Sequence, residues 1–121
     1  MLDIGCGSGI LSFLFAKKSK KSHIIALDSN PDAVKTTNIN AAKLMLGNVE
    51  ALQFNVKDQA KFEIMTMEHK LQKAFDLIFI NPPWISASKL AGNSVIGDGV
   101  YDKDSQMLIN SLTLASNNDF S

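Results

Sequence analysis

Two periods organise the apolar positions of the chain. Ile24-Ile25-Ala26-Leu27 and Phe75-Asp76-Leu77-Ile78-Phe79-Ile80 are short apolar runs with the length and composition of buried strands. Met1-Leu2-Asp3-Ile4 reads as the last part of a strand. Val49 to Val56 reads as another, with Leu52, Phe54 and Val56 alternating against polar residues. Helical spacing fills the gaps. Ile10, Leu11, Phe13, Leu14 and Ala16 follow a possible N-cap at Ser8. A second helix is predicted from Pro31 to about Leu46, with Val34, Thr37, Asn38, Ala41 and Leu44 or Met45 on one face and Gly47-Asn48 as its stop. Phe62, Met65, Met67 and Leu71 suit a loop or a weakly amphipathic helix over residues 59–73. Residues 85–101 suit a loop, and Asp102 or Asp104 caps a final helix carrying Leu108, Ile109, Leu112 and Ala115.

The order βαβαβ(α)βα predicts an α/β fold with a doubly wound, mostly parallel sheet. Four strands closed by one exposed helix leave apolar faces uncovered. The chain is therefore expected to form part of a larger domain, or to have its sheet completed by a partner chain.

Composition narrows the class. The 121 residues suffice for one core and contain no apolar run that approaches the ~20 residues of a membrane span. A basic leader followed by a long apolar segment is lacking, and the single cysteine, Cys6, forbids an internal disulfide. The expectation is a cytoplasmic protein without a cysteine-based metal centre. Net charge is zero, and the one basic cluster, Lys17, Lys18, Lys20 and Lys21, suits a solvated helix end better than a nucleic-acid footprint. Arginine is absent, which removes bidentate recognition of phosphate or guanine and weighs toward a protein substrate.

Three stretches carry chemistry. Gly5-Cys6-Gly7-Ser8-Gly9 joins the first strand to the first helix, and alternate glycines allow a sharp turn and close approach of a ligand to the main chain. The helix start adds N–H donors there, although such a turn also serves as a plain connection. Asp28 closes the second strand, about 20 residues beyond the turn, where an acidic residue is placed to bind ribose hydroxyls, although a helix-start or turn residue is the alternative. Asn81-Pro82-Pro83-Trp84 follows the Phe75–Ile80 run. Two prolines end the ladder, so an amide, a stiff backbone and an aromatic are presented at the carboxyl end of a strand. His23 and His69 have no ligand-like neighbours in sequence.

Leu2-Asp3-Ile4-Gly5-Cys6-Gly7-Ser8-Gly9 resembles the first motif of class I S-adenosylmethionine-dependent methyltransferases, and Asn81-Pro82-Pro83-Trp84 resembles the Asn-Pro-Pro-aromatic motif of their amino-group methylases. Asn38-Ile39-Asn40-Ala41-Ala42 is similar to the second-helix segment of the HemK-like release-factor glutamine methyltransferases and their ribosomal RNA relatives. The resemblance runs from residue 1 to about residue 84. It implies a Rossmann-like, incomplete class I methyltransferase domain over residues 1–121, with S-adenosyl-L-methionine as cofactor. It further implies that Asp3, Gly5, Gly7 and Gly9 hold the methionine end of the cofactor and Asp28 the ribose. Asp58, a looser match, would meet the adenine amino group. Asn81 and the Pro82 carbonyl would accept hydrogen bonds from the target NH₂, and Trp84 would stack on the target. The implied partner is a protein such as a release factor or ribosomal protein, or an RNA or DNA base. A non-catalytic cofactor-binding remnant is the alternative.

Overall fold

The computed structural model describes residues 1–55, 58, 61 and 75–81. Pro82, Trp84, most of the 59–73 segment, the 85–101 loop and the final predicted helix lie outside the described residues. The elements are β1 (Leu2–Ile4), α1 (Ile10–Lys18), β2 (Ile24–Asp28), α2 (Pro31–Lys43), β3 (Val49–Gln53) and β4 (Ile78–Ile80). The strands form one sheet in the order β3-β2-β1-β4, and all three pairings are parallel, as the sequence pattern predicts.

The sheet has two unlike faces. Leu2, Ile4, Ile25 and Leu27 lie on one, packed with Phe54 and Phe75 and flanked by Leu52, Ile78 and Ile80. Asp3, Ala26 and Ala51 form a register row on the other, continued by Phe79. Both helices cover this second face. Val34 of α2 packs on the cluster of Cys6, Ala26 and Ala51. Phe15 of α1 meets Phe79 with ring centroids 5.0 Å apart. The buried helix residues, Ser12 and Ala16 on α1 and Thr37 and Ala41 on α2, are small, so both helices seat closely on the row of alanines.

That geometry corrects the expected apolar face of α1. Ile10 and Leu14 are 65% and 56% exposed, and the polar Ser12 turns inward beside Ala16, which is buried as expected. Ser8 is not the cap either: Gly9 is the N-cap, at φ 84°, without a side-chain cap bond. The Asn30 side-chain oxygen does cap α2, accepting from the Asp32 N–H at 2.9 Å with Pro31 at the first helical position.

Several boundaries are shorter than the sequence suggests, each for a local reason. Ser22 is held in a turn by its bonds to Ser19, so β2 begins at Ile24. Gln53 pairs with Asp28, the last residue of β2, and the Phe54 N–H closes the pairing on the Asp28 carbonyl at 2.8 Å. The β4 ladder begins at Ile78 because its partner begins at Leu2. Helix α2 ends at Lys43, before Gly47-Asn48, because Met45 takes the left-handed conformation at φ 55°. The Met45 N–H then donates to the Ala42 carbonyl at 3.0 Å and the Leu46 N–H to the Ala41 carbonyl at 2.9 Å, a Schellman closure. Asn48 instead secures the turn after α1: its amide donates to the Ser22 carbonyl at 2.9 Å and to the Ser19 carbonyl at 3.3 Å.

At the β3 edge, Asn38 reaches from α2. Its amide donates to the Ala51 carbonyl at 2.9 Å and its oxygen accepts from the Ala51 N–H at 3.0 Å. Among the described residues, no helix is long and apolar enough to cross a membrane.

Candidate active site

The strand order fixes where a ligand belongs. From β1 the chain moves outward through β2 and β3, then returns to β4 on the opposite side of β1. Such a reversal opens a crevice at the carboxyl ends of the two central strands. Ile4 pairs with Ile80, so the next residues, Gly5 and Asn81, share that edge. The Asn81 N–H donates to the Ile4 carbonyl at 3.3 Å, and Asn81 is exposed. Asp28 closes β2 beside them. The structure thus gathers Gly5, Gly7, Gly9, Asp28 and Asn81 at one end of the sheet. Asp58 is engaged elsewhere: its carboxylate bridges Lys61 Nζ at 3.0 Å and accepts from the Lys61 N–H at 3.2 Å, and these bonds hold its pKa below the usual carboxylate value.

Gly5, Gly7 and Gly9 all have positive φ, at 78°, 55° and 84°. The protein uses most of the turn's own N–H groups itself. Those of Gly5 and Cys6 both donate to the Leu27 carbonyl, and that of Gly9 to the Cys6 carbonyl. The Gly7 N–H donates to Asp28 Oδ2 at 2.9 Å. Asp28 Oδ1 accepts from the Asn30 N–H at 2.9 Å, so one carboxylate braces both the turn and the start of α2. A carboxylate offers about four acceptor positions, and among the described residues these two donors meet the half-buried Asp28. A Cβ placed on Gly7 would have no atom within 4 Å, whereas one on Gly9 would lie 2.7 Å from both Phe13 Cζ and Thr37 Cγ2. Gly7 therefore borders open space, and Gly9 is a packing point.

Asp3 lies beneath the turn and is 1% exposed. Its Oδ2 accepts from the Ser12 hydroxyl at 2.7 Å, while Oδ1 has no partner among the described residues. Burial raises its pKa, bonds from Ser12 oppose that rise, and the charge on Asp28 adds to it. An unpartnered buried carboxylate oxygen is costly, and a cationic group brought against it would relieve the cost. Burial also pushes the Cys6 thiol up to about 12, with Thr37 pulling it down and the Asp28 and Asp3 charges adding to the rise. The thiol is therefore protonated at neutral pH and is no nucleophile. Sequence reasoning found Thr37 only as one position on an apolar helical face. Its hydroxyl in fact donates to the Gly7 carbonyl at 3.0 Å.

Residues 1–116 match the family described as "Methyltransferase domain", and the chain belongs to that family. Among curated relatives, it is 43% identical over 58 residues to a probable cobalt-precorrin-6B C(15)-methyltransferase (decarboxylating) of Methanococcus maripaludis, covering 48% of this chain and 31% of the relative. It is 35% identical over 89 residues to an uncharacterized RNA methyltransferase of Protochlamydia amoebophila, covering 74% of this chain and 19% of the relative. It is 33% identical over 87 residues to a release factor glutamine methyltransferase of Dictyoglomus turgidum, covering 72% and 28% respectively. The chain thus spans less than a third of the length of these relatives. A crystal structure from Staphylococcus aureus, assigned as a caffeoyl-CoA O-methyltransferase, shares the fold with a TM-score of 0.55 and 24% identity, over 73% of this chain and 39% of that one.

Proposed function

We propose that the chain is the cofactor-binding and catalytic part of an S-adenosylmethionine-dependent N-methyltransferase acting on a planar amino group, with a protein glutamine amide as the favoured acceptor. One observation carries this reading: Asn81 sits at the strand reversal, tied to the Ile4 carbonyl, next to the glycine turn. S-adenosylmethionine, bound there, supplies an electrophilic methyl group on sulfonium sulfur. Asp3 suits its ammonium group because one buried oxygen lacks a partner among the described residues. Asp28 suits the ribose hydroxyls because a carboxylate offers acceptor positions beyond the two that the Gly7 and Asn30 N–H groups meet. The open space at Gly7 admits the cofactor to the main chain.

Asn81 and the Pro82 carbonyl accept hydrogen bonds from the target NH₂. An amide nitrogen is planar and a poor nucleophile, because its lone pair is delocalised. Two acceptors set for a tetrahedral nitrogen favour the geometry that frees that pair. Trp84 stacks on the planar target and orients it. Once methylated, the nitrogen releases its extra proton readily to solvent, so a strong general base is not required. Asp58 is assigned to the adenine amino group, which requires its carboxylate to turn from Lys61.

Of the three relatives, the one named for glutamine supports amino-group transfer, while the others are named for RNA and for methylation at a carbon, C(15). Neutral charge and the absence of arginine favour protein over nucleic acid. The decisive assay supplies tritiated S-adenosylmethionine with a glutamine-containing peptide or an RNA oligonucleotide. Label on the glutamine amide is expected, and label on RNA alone would reverse the choice of acceptor. Asn81→Ala should lower kcat by a factor of ~10²–10³ with little change in cofactor affinity. Asn81→Asp, which keeps an acceptor oxygen, should retain partial activity. Normal turnover by Asn81→Ala would reduce Asn81 to a strand-ending residue. A second reading is a cofactor-binding remnant without turnover. Calorimetric binding of S-adenosylmethionine with no transfer to either acceptor would support it.

A further inference from the structure

We infer that Thr37 is a positioning residue for the cofactor: its buried hydroxyl locks the Gly7 peptide and so sets the surface against which the cofactor lies. The inference rests on the reading of the glycine turn as the cofactor seat.

Thr37 is 0% exposed and lies well inside α2. A threonine hydroxyl at such a position commonly bonds back to a carbonyl of its own helix. Here it leaves the helix and donates to the Gly7 carbonyl at 3.0 Å. The Cys6 sulfur lies 3.9 Å from the same hydroxyl. The Gly7 N–H is meanwhile held by Asp28, the last residue of β2. Both polar groups of Gly7 are therefore gripped by the β2–α2 segment, one by the last residue of β2 and one from the interior of α2.

Gly7 needs that grip. At φ 55°, without a side chain and with nothing within 4 Å of where a Cβ would lie, it has no side-chain contact of its own to hold it. Its two hydrogen bonds define the turn before any ligand arrives, and preorganisation of this kind raises affinity by removing an ordering cost. Thr37 also fills the space beneath Gly9, since its Cγ2 would lie 2.7 Å from a Cβ placed there. Hydroxyl and methyl thus act on different glycines, and substitutions can separate them.

Thr37→Val keeps the shape and loses the donor. Thr37→Ser keeps the donor and loses the methyl group. A residue that only packs tolerates Val better than Ser; a positioning residue shows the reverse order. The test uses the 121-residue chain, with S-adenosylmethionine titrated calorimetrically into wild type and both variants. Hydrogen exchange at the Gly7 and Gly9 amides, followed by NMR without ligand, is the second measurement. Thr37→Val should bind about tenfold more weakly, the scale of one buried hydrogen bond lost, and exchange faster at both glycines. Thr37→Ser should stay within about threefold of wild type. Wild-type affinity in Thr37→Val, or a weaker Thr37→Ser than Thr37→Val, would overturn the role of Thr37 and leave the cofactor seat standing. A wild-type chain that fails to bind S-adenosylmethionine would instead bring down the cofactor seat, and the role of Thr37 with it.

Discussion

Gly7 and Met45 share a backbone angle, φ 55°, and almost nothing else. Met45 sits where α2 closes, 90% exposed, in a conformation that glycine or asparagine usually fills. Gly7 sits in the turn after β1 with both polar groups engaged. The fold evidently tolerates a large side chain at this angle, so the angle alone does not account for glycine at Gly7. What sets Gly7 apart is the open space in its Cβ direction, at the sheet end shared with Asp28 and Asn81, where a side chain would obstruct a ligand. Gly9 differs again: protein atoms fill its Cβ direction.

Substituting alanine separates the two glycines, and the reverse change probes Met45. The largest loss of stability is expected from Gly9→Ala. Its left-handed conformation costs about 1–2 kcal/mol for a residue with a Cβ, and the contacts with Phe13 and Thr37 add an overpacking cost of about 1–3 kcal/mol. Denaturant melts would show this, and a melt like wild type would mean that Thr37 yields freely. Gly7→Ala should cost only about 1–2 kcal/mol of stability and yet weaken S-adenosylmethionine at least tenfold in calorimetry. Retained affinity would show that the space above Gly7 is not the seat. Met45→Gly is expected to gain about 0.5–1 kcal/mol, since the left-handed strain is relieved at an exposed site, with cofactor affinity unchanged. A loss there would mean that the Met45 side chain packs against a partner.

A smaller effect comes from Asp3. Its folded pKa is raised, so the folded chain holds the proton more tightly than the unfolded one. That contribution to stability is complete below the ordinary aspartate pKa and disappears as pH rises through the raised value. The stability of Asp3→Asn relative to wild type should therefore increase from acid to neutral pH. A difference that stays flat with pH would remove the claim that Asp3 carries a buried charge, and with it the rationale for Asp3 as the ammonium site.

Much of this was legible in the sequence because the relevant signals are local. Apolar runs marked β1, β2 and β4, Asn30-Pro31 marked the start of α2, and the positions of Gly5, Gly7, Gly9, Asp28 and Asn81 followed from turns and strand ends. What hydrophobic periodicity concealed is the face of α1. Ser12 points inward because its hydroxyl bonds the buried Asp3 carboxylate, while Ile10 and Leu14 lie exposed. The brace between Asp28 and Gly7 spans 21 residues, and that between Thr37 and Gly7 spans 30. Neither type of residue announces such a bond by its spacing.

The Asn38 amide has a consequence for assembly. By offering Ala51 both an acceptor and a donor, it imitates one residue of a neighbouring strand. A sheet extends by templating, with each unpaired row of N–H and C=O groups recruiting the next chain. In the middle of β3 that row is already answered from within the molecule. Another chain adding there would have to displace an intramolecular pair before gaining its own, so the β3 border is a poor seed for growth. Asn38→Ala would expose the template again, and turbidity on warming would rise even if the melting temperature changed little.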